Sequence, residues 1–311
     1  MLTALSSALL GALLACSGDA PIETEPPPQA KAAPPPKLDV RATCPQAAWL
    51  ARTVGGTRVT VTDILPAGED PPHWRPAPEV IAGLAEADLI VANGAGFEGW
   101  MATATLPDGK VVHTAEGVES LIALAETSHS HGGEDEHSHT GTDPHTWGDP
   151  LTFLTQARVL RDALNDVDEA HKDFYNDRLP IVEGDLRALD EAYAAMLAGA
   201  KGRAMAANHP SFNYLARRYE LTIESFDFDP SAAPGAAQLA AFNRWAAGAG
   251  PAPLLLWESE PSEAAVAAFP ATVKHVYIDP LEAASPDSSG RYDYLRQATA
   301  NINRFKKALA E

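Results

Sequence analysis

The sequence predicts an α/β fold of two lobes, each a mostly parallel sheet with covering helices, joined by a long rigid helix. Three observations carry this. Short apolar strands alternate with amphipathic helices in the first half, the same alternation returns after residue 201, and a long stretch of helical periodicity lies between them. At 311 residues the chain is long enough to bury more than one core. The expected organisation is a signal peptide at 1–15, a lipid anchor and Pro-rich linker at 16–40, an N-terminal α/β lobe at 41–148 with a His-rich loop at 128–142, a connecting helix at 149–200 and a C-terminal α/β lobe at 201–311.

Met1 to Ala15 are small or apolar, and Ala8 to Ala15 run directly into Cys16. The run is shorter than the roughly 20 residues of a spanning helix and reads as a secretion signal. Leu13-Leu14-Ala15-Cys16 is similar to a bacterial lipobox, in which the cysteine becomes the lipidated first residue. From Ser17 to Lys37 the chain is rich in Pro, Ala and Glu, with Pro26-Pro27-Pro28 and Pro34-Pro35-Pro36, a composition that extends rather than packs. Tether and spacer imply a periplasmic or extracytoplasmic, membrane-anchored lipoprotein. With Cys16 used for lipid, Cys44 is left as a buried or idle thiol. A formal net charge of -19 argues against nucleic acid as a partner and is compatible with cation handling.

Val59 and Val61 alternate with Thr60 and Thr62, marking a strand that ends at Pro66. The loop after it carries His73. Pro78 opens a helix with Val80, Ile81 and Leu84 on one face, and Asp88 to Ala92 form a second strand closed by Asn93-Gly94. Gly94-Ala95-Gly96 lacks the third glycine of a nucleotide fingerprint. Residues 128–142 hold His129, His131, His137 and His139 with Glu134, Asp135 and Glu136 and no apolar anchor. Such a loop captures metal loosely, but ordering it costs entropy, so it is accessory to any tight site.

Asp143-Pro144-His145-Thr146-Trp147-Gly148-Asp149-Pro150 follows, and its two Asp-Pro steps predict a constrained turn around His145. Phe153, Ala157, Leu160 and Leu164 then fall at helical spacing, resumed by Val182, Leu186, Leu189, Tyr193 and Leu197 beyond Pro180, which is expected to kink or interrupt the rod, so the region reads as one or two helices forming a stiff spine. In the second half, strands are predicted at Arg203 to Ala207, Leu254 to Trp257 and Val273 to Ile278. A helix bearing Phe212, Leu215 and Tyr219 has Ser211 as its expected cap, and a terminal helix carries Tyr292, Leu295, Ile302 and Leu309 on one face.

His73, His145, His209 and Asp279 share one address: each lies on a loop or turn, and each adjoins a proline. Three imidazoles and a carboxylate make a tetrahedral set suited to Zn2+. His113, His171 and His275 lack that context and are read as structural.

The sequence resembles the solute-binding proteins of bacterial zinc and manganese ABC importers. The resemblance rests on Pro72-His73 before Pro76-Ala77-Pro78, on Leu84 to Val91 with Asn93-Gly94 and Phe97 to Trp100, on Asp143 to Pro150, on His209 to Ala216 and on Ile278-Asp279-Pro280-Leu281. It implies metal bound in the cleft between the lobes, His73, His145 and His209 as the histidine ligands, and Asp279 as the carboxylate. It also implies an ABC permease as partner and no enzymatic activity; a monomer is expected. Zinc-handling members often carry a His-rich acidic loop before the second ligand, and His209 stands where manganese-handling members more often have a carboxylate. Asp143 and Glu258 are candidates to orient the imidazoles. The alternatives are a surface metal-binding adhesin or metal chaperone of the same fold, and a zinc hydrolase, which the lack of a His-Glu-x-x-His motif disfavours.

Overall fold

The computed structural model describes residues 37–66, 68, 69, 71–107, 109–124, 128, 129, 137, 138, 141–283 and 292–310. The expected signal peptide, Cys16, His131 and His139 lie outside these residues.

The first half runs β1 (Leu38–Ala42), α1 (Pro45–Gly55), β2 (Val59–Asp63), α2 (Pro78–Gly83), β3 (Leu89–Ala92) and β4 (Val111–His113). Its four strands form a parallel sheet in the order β2-β1-β3-β4. Two short antiparallel pairs follow, β5 (Ala123–Leu124) with β8 (Gly141–Thr142) and β6 (Ser128–His129) with β7 (His137–Ser138). After α3 (Pro150–Val167) and α4 (Lys172–Leu197) come β9 (Met205–Ala207), α5 (Asn213–Tyr219), β10 (Ile223–Ser225), α6 (Ala236–Ala246), β11 (Leu254–Trp257), α7 (Glu263–Ala267), β12 (Lys274–Tyr277) and α8 (Tyr294–Ala310). The second sheet, β10-β9-β11-β12, is again parallel and repeats the order of the first. Each sheet therefore has a switch point, between β1 and β3 and between β9 and β11, where open α/β sheets gather polar groups past the strand ends.

The sheets divide their side chains by the period of two. Leu89 and Val91 of β3, Met205 and Ala207 of β9, and Leu254 and Leu256 of β11 face one shared core. Ile90 turns instead to a small cluster with Trp74 and Trp100, and Leu255 and Trp257 to an aromatic cluster with Phe228, Phe242 and Phe269. The shared core passes through α1, α3, α4 and α8. At its centre Trp49 lies 5.6 Å from Phe153 and 5.4 Å from Tyr294, with Phe153 and Tyr294 4.5 Å apart.

Three expectations need correction. The segment expected as linker at 16–40 ends earlier, because β1 starts at Leu38; Val40 is fully buried and pairs with both Val61 and Leu89. Its one alternation beside a Pro-rich run is too short a signal to stand out. The connecting region at 149–200, read as one or two helices, is two, and the interruption expected at Pro180 falls instead at Asp168, Pro180 lying inside α4. Asp168 accepts from Tyr175 Oη at 2.8 Å and Arg58 Nη2 at 3.1 Å and meets His171 Nδ1 at 2.7 Å, so its side chain is committed to the bend. A mid-helix proline costs about 3 kcal/mol, and α4 offsets it by burying Tyr175, Leu179, Val182, Leu186, Leu189, Tyr193 and Leu197. Tyr292 precedes α8, whose buried face holds Tyr294, Ala298, Ile302 and Phe305.

Asp190 of α4 ties that helix to α5: Arg218 Nε and Nη2 donate to it at 2.8 and 2.7 Å, and Tyr219 Oη at 3.0 Å. Burial pushes the Asp190 carboxyl up, but these hydrogen bonds and the Arg218 charge outweigh it and leave the group below its ordinary range. A depressed folded-state value means that the stability Asp190 supplies is present above the ordinary carboxylate range and lost as pH falls through it. Urea titrations should therefore give Asp190→Asn a lower midpoint than wild type at neutral pH and a shallower further loss below about pH 5. Identical acid slopes for the two proteins would show that Asp190 does not contribute in this way.

Candidate metal centre

The His145 turn is held from both halves of the chain. Asp143 is fully buried, and its Oδ1 accepts the His145 backbone N–H at 2.9 Å and lies 2.6 Å from His145 Nδ1. The carboxylate makes Nδ1 the protonated nitrogen and leaves Nε2 as the nitrogen available to a ligand. Asn93, just past β3, donates from Nδ2 to Pro144 O at 3.0 Å and accepts from Gln156 Nε2 at 2.8 Å. Trp147 is fully buried edge-on to Phe97, with centroids 4.8 Å apart. Its indole N–H donates to Pro280 O at 2.9 Å, and its own carbonyl accepts from Tyr294 Oη at 2.6 Å. Asp149 ends the turn by capping α3, accepting from Leu151 N at 2.8 Å and Thr152 N at 3.3 Å, with Pro150 in the first helical position.

His209 sits two residues past β9. Its Nδ1 is 2.9 Å from Ser211 Oγ and 3.4 Å from Glu258 Oε2, and Ser211 Oγ donates to Glu258 Oε2 at 3.2 Å. The expected cap role for Ser211 is thus replaced: Phe212 occupies the cap of α5 without a side-chain bond, and Ser211 relays His209 to Glu258. The His145 and His209 rings stand edge to face with centroids 6.2 Å apart. The structure brings these two imidazoles together from opposite halves, each backed by an acid, Asp143 for one and Glu258 for the other.

Asp279, past β12, is buried, and both its oxygens already accept, Oδ1 from Leu281 N at 2.8 Å and Oδ2 from Gln297 Nε2 at 3.2 Å. Burial raises its carboxyl above the ordinary range. The carboxylate of this turn that reaches an imidazole is Glu282, whose Oε1 lies 2.8 Å from His145 Nε2. Among the described residues Glu282 Oε1 has no other donor, so this contact is a hydrogen bond only when Nε2 is protonated. Sequence reasoning stopped at Asp279; the available signal was a second acid on the same Asp279-Pro280-Leu281-Glu282 turn. Between the two acids Leu281 has φ 64°, a left-handed backbone unusual for leucine, and its carbonyl accepts from Gln46 Nε2 at 2.6 Å and Tyr292 Oη at 2.8 Å.

His73 is exposed on the turn after β2, where Arg75 Nη1 lies 3.3 Å from its carbonyl. Among the described residues no group of three or more His, Cys, Asp or Glu converges on a metal position as the chain stands. The backbones of His129 and His137 pair across β6 and β7. His171 contacts Asp168, while His275 accepts from Trp257 Nε1 at 2.9 Å, and burial pushes its pKa down. Cys44 is buried at the start of α1, and burial raises its thiol well above the ordinary value.

The chain matches the family model described as ZnuA, zinc-uptake complex component A, periplasmic, over residues 40–308. It is 28% identical over 283 residues to the zinc-binding lipoprotein AdcA of Streptococcus pneumoniae, covering 87% of this chain and 56% of that protein. It is 26% identical over 188 residues to the high-affinity zinc uptake system protein ZnuA of Bacillus subtilis, covering 59% of each. The chain thus spans less than two thirds of the length of these relatives. Among solved structures, the metal-dependent lipoprotein YcdH from Bacillus subtilis superposes with a TM-score of 0.75 at 22% identity, over 87% of this chain and 98% of that one. The Zn(II)-bound ZnuA-like domain of Streptococcus pneumoniae AdcA gives 0.73 at 24% identity, over 88% and 100%. These likenesses establish the two-lobed α/β fold.

Burial lowers the His145 pKa, but the hydrogen bonds and charges of Asp143 and Glu282 overcome it and push the ring up to about 10. The stability from this cluster is therefore full below the ordinary imidazole value of about 6.5 and lost as pH rises through about 10. In Glu282→Gln, an NMR titration of the metal-free protein should show the His145 pKa moving down toward the ordinary range. An unchanged value would mean that the Glu282 contact is not populated in solution.

Proposed function

The chain belongs to the periplasmic zinc-uptake complex component A family, and from that premise we propose that it is the high-affinity zinc-binding component of an ABC metal importer, capturing Zn2+ and delivering it to a membrane permease. The observation that carries this reading is the pair His145 and His209, 6.2 Å apart and contributed by opposite halves of the chain. Each has Nδ1 committed to a hydrogen-bonding partner, which leaves Nε2 for a metal. The remaining donors in this reading are His73 and a carboxylate from the 279–282 turn, Asp279 or Glu282. Three imidazoles and one carboxylate satisfy tetrahedral Zn2+ and leave no open position for a catalytic water. No enzymatic activity is proposed.

The cation would replace the proton on His145 Nε2, the nitrogen that lies 2.8 Å from Glu282 Oε1. Zinc is favoured over Mn2+ because imidazole is a borderline donor, whereas Mn2+ prefers an oxygen-rich set. The His-rich loop at 128–142 is read as an accessory that raises local metal concentration. Lipidation at Cys16 would hold the chain at a membrane on the extracytoplasmic side; among the described residues no helix is long and apolar enough to cross one.

Calorimetric titration with Zn2+ and Mn2+ tests the reading. Wild type should show one tight zinc site, deletion of 128–142 should leave it intact, and His209→Ala should weaken it severely. Tight binding retained in His209→Ala would refute the site. Comparing Asp279→Asn with Glu282→Gln identifies the carboxylate: the variant that loses zinc affinity marks the ligand.

A further inference from the structure

Asn213, the first residue of α5, touches both histidine-bearing turns through one atom. Its Nδ2 donates to Asp143 Oδ2 at 2.9 Å and to Pro210 O at 3.1 Å. Asp143 holds His145 through its other oxygen, and Pro210 directly follows His209. Both acceptors lack a proton to give, so the position requires a side chain offering two N–H bonds in a plane, which a carboxamide supplies. An aspartate there would set lone pairs against lone pairs, and an alanine would leave both acceptors without this donor.

Among the described residues no other side chain donates to Asp143 Oδ2. Asp143 is fully buried, so losing that bond leaves a carboxylate oxygen poorly satisfied, at a cost larger than that of an ordinary exposed hydrogen bond. The neighbouring Tyr214 strengthens the same junction: its Oη donates to Asp143 O at 3.2 Å and accepts from Ile122 N at 3.1 Å. The first turn of α5 thus grips the segment that orients His145 while its amino-terminal side carries His209.

We propose that Asn213 is a positioning residue of the metal centre, holding the His145 and His209 turns at ligand spacing through Asp143 and the Pro210 carbonyl, and thereby setting how tightly and how long Zn2+ is held. The inference rests on the assignment of His145 and His209 as ligands. Its physical basis is preorganisation: a supporting group that fixes the rotamers of two ligands spares the ion the work of ordering them, and loss of such partners typically weakens metal binding about 10- to 100-fold.

The test measures Zn2+ affinity by competition with a chelating dye and Zn2+ release into excess EDTA, for wild type, Asn213→Ala, Asp143→Ala and the double variant. Asn213→Ala should weaken affinity about 10- to 100-fold with faster release, yet cost no more than about threefold when Asp143 is already alanine. In the zinc-free protein it should also shift the Nδ1–H resonance of His145. Equal losses in both backgrounds would show that Asn213 acts apart from Asp143 and would overturn the inference, as would a single variant that binds and releases zinc like wild type. Should Asn213→Ala fail to fold, the milder Asn213→Ser, which removes the planar pair of N–H donors without adding charge, is read by the same criteria. A wild-type protein that binds no zinc overturns the functional reading and this inference together, which separates the two failures.

Discussion

Trp147 is buried at the junction of the two halves, and the rest of the candidate site depends on how it is held. The ring packs against Phe97 from the first half, while its N–H and carbonyl are committed to Pro280 and Tyr294 of the second. An indole N–H buried without an acceptor is costly, so the turn that carries His145 has little freedom to leave Pro280. The two Asp-Pro steps restrict the backbone on either side of this anchor. Asp143 orients the imidazole and Asp149 starts α3, so one short segment ends the first sheet's territory, presents a donor and begins the helical layer.

The two halves solve the same electrostatic problem by unequal means. His145 meets its acid directly at 2.6 Å, whereas His209 reaches Glu258 mainly through the Ser211 hydroxyl. A direct carboxylate raises imidazole basicity more than a neutral hydroxyl does, which favours both a proton and a metal at Nε2. Glu282 Oε1, 2.8 Å from His145 Nε2, accepts a hydrogen bond through that proton when the ring carries it. At the proposed site, proton and zinc would compete for one nitrogen, with the acids around it favouring any cation and the ligand geometry selecting among them.

Much of this was legible in the residues. Proline beside each of His145 and His209 marked turns at strand ends, and the repeated strand–helix order gave two parallel sheets of matching topology. What escaped has physical causes. Pro180 carries a strong local penalty, but seven buried side chains on α4 outweigh it, and packing of that kind is invisible to a local rule. Leu38 and Val40 are too few to show a period. Ser211 has the chemistry of a cap, yet a buried relay to Glu258 claims it. Glu282 is visible in the sequence only as a second acid on the Asp279 turn; that it is the one to reach His145 Nε2 follows from the left-handed Leu281, which only the folded turn reveals.

The aromatic contact of Trp49, Phe153 and Tyr294 has a thermodynamic consequence. These rings come from α1, α3 and α8 and sit in a core shared by both sheets, which is the largest interior of the described residues and outweighs the smaller cluster that each half keeps to itself. Removing one such ring by truncation to alanine typically costs about 3–5 kcal/mol, a large fraction of the stability of an ordinary domain. The described body is therefore one cooperative unit rather than two beads on a rod. A ligand held by residues of both halves adds its binding free energy to the same equilibrium that keeps the core closed, so zinc at the proposed site would raise the resistance to unfolding the more tightly it is held.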